Sequence, residues 1–291
     1  MIDLGMRRPP ITWPDGARIA FSVTVAVEAF QNACQYRHGP PGVATKPDYF
    51  SLSYAQYGQT TGVWRLMDLL DREGLKAAVS VSGRAAELVP KTLKVMSDAG
   101  HEMVGHGWIQ DVAIPQDIES QAADIKRTLD AIEAATGQRP VGWTSQGSMG
   151  NENTLVAQDM VGGMLWNGDD ASDDVPFIRK VGDKPYVILP RNNFPANDLI
   201  LWVKPTNPPS VIFESFKDAF DTLYEEGSNG SPKWIEVVMH SHFAGRATLI
   251  PTLRKVFAYA RQHERVWYTQ RRDIAKWTLE QAAGKAAIAT R

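Results

Sequence analysis

Residues 18–29 read Arg-Ile-Ala-Phe-Ser-Val-Thr-Val-Ala-Val-Glu-Ala, a β-branched, apolar run entered through the turn-forming Trp13-Pro14-Asp15-Gly16 and leaving on the acid Glu28. Such a run predicts a strand buried on both faces, as in a parallel sheet. The segments that follow repeat the theme. Residues 62–72 carry Val63, Leu66, Met67 and Leu70 at helical spacing and are stopped by Gly74. Residues 77–81 predict a strand and 85–99 a helix closed by Gly100, then come strand 102–104, helix 118–136, strand 141–144 and helix 153–160. Repeated strand–helix units imply an α/β fold with helices covering a parallel sheet.

The second half is less regular. Residues 165–167, 186–189, 234–239 and 266–269 predict strands, residues 211–226 and 251–263 helices, and residues 273–287 a terminal helix whose tail after Gly284 frays. The Asn- and Pro-rich stretch 192–209 predicts a loop. No repeat of fixed period and no low-complexity linker interrupts the chain, so one domain is expected over residues 1–291, with its core over 13–280.

Composition narrows the function classes. The 291 residues are 43% hydrophobic and 22% charged, with a net charge of −2, so neither nucleic acid nor an anionic membrane surface is an expected partner. No window approaches the roughly 20 apolar residues of a membrane span. Cys34 is the only cysteine, which excludes an internal disulfide and a cysteine metal cage, and without a nearby histidine motif it is no candidate nucleophile. The first ten residues lack the apolar core of a signal peptide, which predicts a cytoplasmic protein. A symmetric homo-oligomer acting on a small-molecule substrate is expected.

Function in α/β folds gathers where strands end at their carboxyl termini. Three polar residues occupy such ends: Glu28, His106 in Gly-His-Glu-Met-Val-Gly-His-Gly-Trp, and His240 closing Trp-Ile-Glu-Val-Val-Met-His. Each alone reads equally well as a capping or packing residue. Together, a carboxylate and two imidazoles are the minimal set for activating water and protonating an amine leaving group, and they are the candidate catalytic residues.

The ordered set of motifs resembles the polysaccharide deacetylase superfamily, with its nodulation-protein deacetylase homology fold. The set comprises a first strand ending in an acid, Tyr57-Gly58, Gly62-Val63-Trp64-Arg65, Gly100-His101-Glu102, His106-Gly107-Trp108, residues 239–246, Val266-Trp267-Tyr268 and Ile274-Ala275. The resemblance is to the cytosolic branch with cofactor-independent allantoinases and cyclic imide hydrolases. It implies a distorted (β/α) barrel with fewer than eight regular strands, and hydrolysis of a non-peptide C–N bond. Two departures separate this chain from the sugar deacetylases. Their first strand ends in an Asp-Asp pair where this one ends Ala26-Val27-Glu28, and their second histidine, four residues after the first, is here Gln110. An amide is a poor zinc ligand. The expected cofactor is therefore none, or a weakly bound divalent ion such as zinc held by Glu28 and His106, with Asp111 or a late histidine as a third donor.

The side-chain reading makes Glu28 the base, its pKa raised by desolvation, and His106 or His240 the acid. The substrate reading is a small cyclic ureide or imide; a metal-dependent N-deacetylase of a sugar or other amide, and a non-catalytic binding module, stand as alternatives. Trp143, Ser145, His242 and Arg246 are candidate substrate-binding residues, each with a packing role as the competing reading. Trp64 and Trp267 read as core, and His38, His101 and His263 as structural or surface residues.

Overall fold

The computed structural model describes residues 11–35, 45–191 and 195–284; His38 and the tail after Gly284 lie outside the described residues. Nine strand segments form one curled sheet: β1 (Ile19–Val27), β2 (Ala78–Val81), β3 (Glu102–Gly105), β4 (Gly142–Trp143), β5 (Trp166–Asn167), β6 (Phe177–Val181), β7 (Lys184–Ile188), β8 (Lys233–His240) and β9 (Val266–Tyr268). They lie in the order β6-β7-β5-β4-β3-β2-β1-β8, with β9 also on β1. β8 pairs along β1 from Ile19 to Ala26, while β9 and β2 share its other edge, β9 at residues 19–21 and β2 at 24–27. Every pairing is parallel except the β6–β7 hairpin, which turns on Gly182 and Asp183. This is the α/β, distorted-barrel architecture expected; β4 and β5 are only two residues long. Among the described residues no helix is long and apolar enough to cross a membrane.

The period-two side-chain alternation of a strand divides labour between the two faces. On β1, Val23, Val25 and Val27 join the main core under Leu66, Leu70, Phe216 and Phe257, while Thr24 and Ala26, followed by Glu28, turn to the inner cavity. On β8, Ile235, Val237 and Met239 face that core, and Val238 and His240 the cavity. Toward the strands' amino-terminal ends the inner face is filled by a second cluster, including Ala20, Ala78, Val104, Trp166, Trp234 and Ile274. The cavity therefore opens at the carboxyl ends, where the inward side chains are small or polar.

Several sequence expectations change. Residues Tyr49–Tyr57 form a helix that periodicity did not announce, because only Ser51 and Ala55 on it are buried. It runs through a π-helical turn, Gly58–Gly62, into the expected helix Val63–Arg72. The helix expected over 85–99 is two, Gly83–Leu88 and Pro90–Asp98, the second opening on Pro90, whose ring suits a first turn. The expected loop 192–209 contains a helical turn at Leu199–Val203 and a bridge from Asn197 to Val238 on β8; residues 192–194 lie outside the described residues. Trp64 is 43% exposed, not core, whereas Trp267 packs between Trp13 and Trp277. His101 is buried and accepts the Ala77 N–H at 2.8 Å, and His263 packs at tilted or edge-on angles against Phe220, Tyr224 and Tyr259, both structural roles.

Gly142 is where the fold leaves least room. A Cβ there would meet the ring of the buried Trp166 at 1.9 Å. Gly142→Ala is expected to lower stability by ~1–3 kcal/mol, the usual cost of overpacking, read as a lower denaturant midpoint at unchanged m-value; an unchanged midpoint would contradict this packing.

Candidate active site

Glu28 leaves β1 one residue beyond its last paired position and is 2% exposed. Its backbone carbonyl accepts a hydrogen bond from Gln59 Nε2 at 2.7 Å, so the π-helical turn reaches across to fix it. That turn docks tightly on the short helix Ser241–Ala244. A Cβ on Gly58 would lie 2.5 Å from the His242 nitrogen, and one on Gly62 2.1 Å from the Ser241 carbonyl oxygen. The Tyr57-Gly58 and Gly62 motif thus places the carboxylate and the late histidines against each other.

Glu28, His106 and His240 all line one cavity of about 340 Å³. His106 follows β3, its Nδ1 donates to the Thr144 carbonyl at 2.7 Å, and its Nε2 faces Glu28 Oε1 at 3.3 Å. Gly107, at φ +68°, continues the chain where a Cβ would strike the Gln146 side chain at 2.1 Å. Glu28 Oε2 accepts from Gln35 Nε2 at 3.3 Å, and Gln35 Oε1 accepts from His242 Nε2 at 3.2 Å, so His242 is joined to the carboxylate through an amide.

His240 is held by a residue that sequence reading passed over. Asp198, buried, accepts from His240 Nδ1 at 2.6 Å and from the His240 and Ala244 backbone N–H groups at 2.8 and 3.0 Å. This fixes the tautomer and leaves Nε2 as the ring nitrogen available to the cavity. Asp198 sits in the Asn-Pro-rich stretch, where its one signal is the Asn197-Asp198 pair that caps the turn at Leu199. Arg191, just before that stretch, lines the cavity and was likewise missed.

The remaining candidates divide. Trp143 is buried in the packing beside Leu129 and Tyr186, its Nε1 donating to Ser145 Oγ at 3.1 Å. Ser145 is turned to Asp169, donating from its backbone N–H at 2.7 Å and its hydroxyl at 2.8 Å. Arg246 lies between the rings of Tyr54 and Tyr57, 3.9 and 3.8 Å from their centroids, and donates to the Tyr54 and His242 carbonyls. The structure brings none of these three to the cavity lining: each has an intramolecular partner that draws it into packing. His242 stands behind Gln35.

The electrostatics oppose the expectation for Glu28. Burial pushes its pKa up, but the charge of His240 and the hydrogen bond and charge of His106 outweigh it, holding the carboxyl at about 2 against an ordinary 4.5. Burial pushes His240 down, yet the carboxylates of Asp198 and Glu28 lift it above its ordinary 6.5. Burial holds His242 down at about 3, so it is neutral. The cavity therefore pairs an ionised carboxylate with a His240 biased toward its protonated form.

Glu28 Oε1 and His106 Nε2 are two donors that a divalent ion would share. The third is lacking: Asp111 spends its oxygens on the N–H groups of Gln31, Asn32 and Ala33, and Gln110, whose Nε2 donates to the His106 carbonyl, offers only an amide oxygen. Among the described residues no three His, Cys, Asp or Glu side chains converge on one point. This donor set falls short of the three good ligands a catalytic zinc takes.

Residues 44–162 match the polysaccharide deacetylase family model. A Schizosaccharomyces pombe protein named "Putative polysaccharide deacetylase" is 29% identical over 243 residues, 77% of this chain and 75% of its own. The crystal structure titled "probable Polysaccharide deacetylase" from Pseudomonas aeruginosa superposes with a TM-score of 0.86 at 28% identity, covering 96% of this chain and 97% of that one. That of Puue allantoinase superposes with a TM-score of 0.85 at 27% identity, covering 95% of each chain. The chain is thus similar, over nearly its whole length, to solved structures titled as a polysaccharide deacetylase and an allantoinase. The match to the polysaccharide deacetylase model spans less than half of the chain, and both a deacetylase and an allantoinase are among its structural neighbours.

The two shifted groups give stability a pH signature with opposite signs. Glu28, lowered, contributes above pH 4.5 and loses its contribution as pH falls toward about 2; His240, raised, contributes fully below 6.5 and loses its contribution as pH climbs through its elevated pKa. Asp198→Asn is expected to lower the His240 pKa and shrink the alkaline loss, measured by denaturant midpoints across pH 6 to 9; an identical alkaline decline in both proteins would contradict the pairing.

Proposed function

We propose that the protein opens a small cyclic ureide or imide by side-chain acid–base catalysis. The observation that carries this reading is the pairing, in one cavity of about 340 Å³, of an ionised Glu28 with a His240 whose Nδ1 is locked on Asp198. A cavity of that size suits a small ring better than a polymer. Glu28 takes one proton from a water, whose oxygen bonds to the ring carbonyl carbon. His240 Nε2–H gives its proton to the ring nitrogen as the C–N bond breaks, so the ring opens to a carboxyl group and a released N–H. The proton on Glu28 then returns to His240 through solvent. His106 and Gln35 hold the two carboxylate oxygens in place. Gln110 also lines the cavity, and its buried Oε1 has no hydrogen-bond partner among the described residues, which favours a substrate carrying an N–H.

The likeness to polysaccharide deacetylases and the Glu28–His106 donor pair favour a second reading, N-deacetylation of a sugar or other amide assisted by a divalent metal.

Purified protein assayed on allantoin, succinimide and N-acetylglucosamine oligomers, with and without chelator, separates the two. The first reading expects ring opening that survives the chelator; deacetylation that requires added zinc would replace it with the second. Glu28→Gln and His240→Gln are each expected to cut ring-opening turnover by about 10²–10⁴-fold with thermal midpoints little changed. Near-native rates in both variants would remove these residues from the chemistry.

A further inference from the structure

The cavity holds more positive charge than the reaction above uses. Arg191 lines it, and the one side-chain hydrogen bond of its guanidinium among the described residues is to the Ser148 hydroxyl. Three carboxylates lie within electrostatic reach, Asp169, Glu236 and Glu28, but each is engaged elsewhere: Asp169 by Ser145, Glu236 by Arg271 and Thr24, Glu28 by His106 and Gln35. No ion pair closes on Arg191 among the described residues. Arg271, from the first turn of the terminal helix, lines the same cavity and is 2% exposed. Its Nε and Nη2 serve Glu236, while its Nη1 is buried with no partner among the described residues. A buried guanidinium nitrogen left unpaired is costly, and on a residue that lines a cavity it is a donor that a ligand could satisfy. Burial and the neighbouring Arg271 both push the Arg191 guanidinium below its ordinary value. Lys204 stands exposed at the cavity rim. Arginine is the residue suited to a carboxylate, whose two oxygens match its planar donors.

We propose that Arg191, the Ser148 hydroxyl and Arg271 Nη1 form an anion subsite, and that the substrate is a small cyclic amide or ureide bearing a carboxylate substituent. The inference rests on the ring-opening reading for the word "cyclic", but the subsite itself is read by binding. Ser148 is held at φ +58°, a left-handed conformation that a serine adopts at some cost and that here sets its hydroxyl toward Arg191.

Orotate and uracil are the probes: the same flat ureide ring with and without a carboxylate, neither of them ring-opened by hydrolysis at a saturated position. Calorimetric titration is expected to show orotate binding roughly tenfold to a hundredfold more tightly than uracil, the range that charge-assisted hydrogen bonds supply. In Arg191→Ala that ratio is expected to fall to near one, and in Arg191→Lys to an intermediate value, with thermal unfolding confirming that both variants fold. Equal affinity for the two rings, binding of neither, or a ratio unchanged in Arg191→Ala would overturn the subsite. Dihydroorotate and dihydrouracil, offered as substrates in parallel, separate this failure from that of the ring-opening reading. Turnover of dihydrouracil without any orotate preference removes the subsite and keeps the activity. Orotate preference with no cyclic ureide or imide opened keeps the subsite and removes the activity.

Discussion

A carboxylate at the end of an apolar strand, sealed from water, is expensive to ionise, and the site is organised around keeping Glu28 ionised nonetheless. Burial alone favours the neutral acid. The imidazoles of His240 and His106 reverse that preference, and each is placed by a different part of the chain: His240 by the end of β8 and Asp198, His106 by the end of β3 and the Thr144 carbonyl. The polar residues of the inner face are thus mutually dependent. Remove the turn at residues 58–62 and both the Gln59 bond to Glu28 and the seat of the late histidines go with it.

The same alternation that builds the sheet builds the site. Because β1 and β8 pair in register from Ile19 opposite Lys233 to Ala26 opposite His240, their inward positions converge at the carboxyl end. The outward positions are consumed by the helices. The glycines that bring the turn onto residues 241–244 exchange side-chain packing for backbone proximity, a distance that no side chain tolerates.

How far the sequence reaches follows from these constraints. The long β-branched strands and the acid or imidazole at their ends were legible because period and residue type coincide there. The two-residue strands β4 and β5 carry too few positions for a period, and the helix at Tyr49–Tyr57 has no stripe because little of it is buried. Trp143, Ser145 and Arg246 sit near strand ends, as site residues do, but satisfy their polar groups on Ser145, on Asp169 and on carbonyls between two tyrosines, contacts invisible to spacing. Asp198 and Arg191 lie in or beside a stretch without periodicity: Asp198 is set behind His240 by the bridge from Asn197 to β8, and Arg191 lines the cavity itself. The direction of the Glu28 shift was illegible for a related reason: burial is a local property of the strand, whereas the opposing imidazoles come from elsewhere in the chain.

The carboxylates of Asp198 and Glu28 together favour a proton on His240, and the mechanism depends on it. Nitrogen-15 NMR of the imidazole ring reads this directly, following His240 from pH 5 to 9 in the native protein and in Glu28→Gln. The account predicts an imidazolium whose pKa lies above 6.5 and drops when Glu28 loses its charge. A His240 that is already neutral at pH 6, or one whose titration is the same in both proteins, would contradict it.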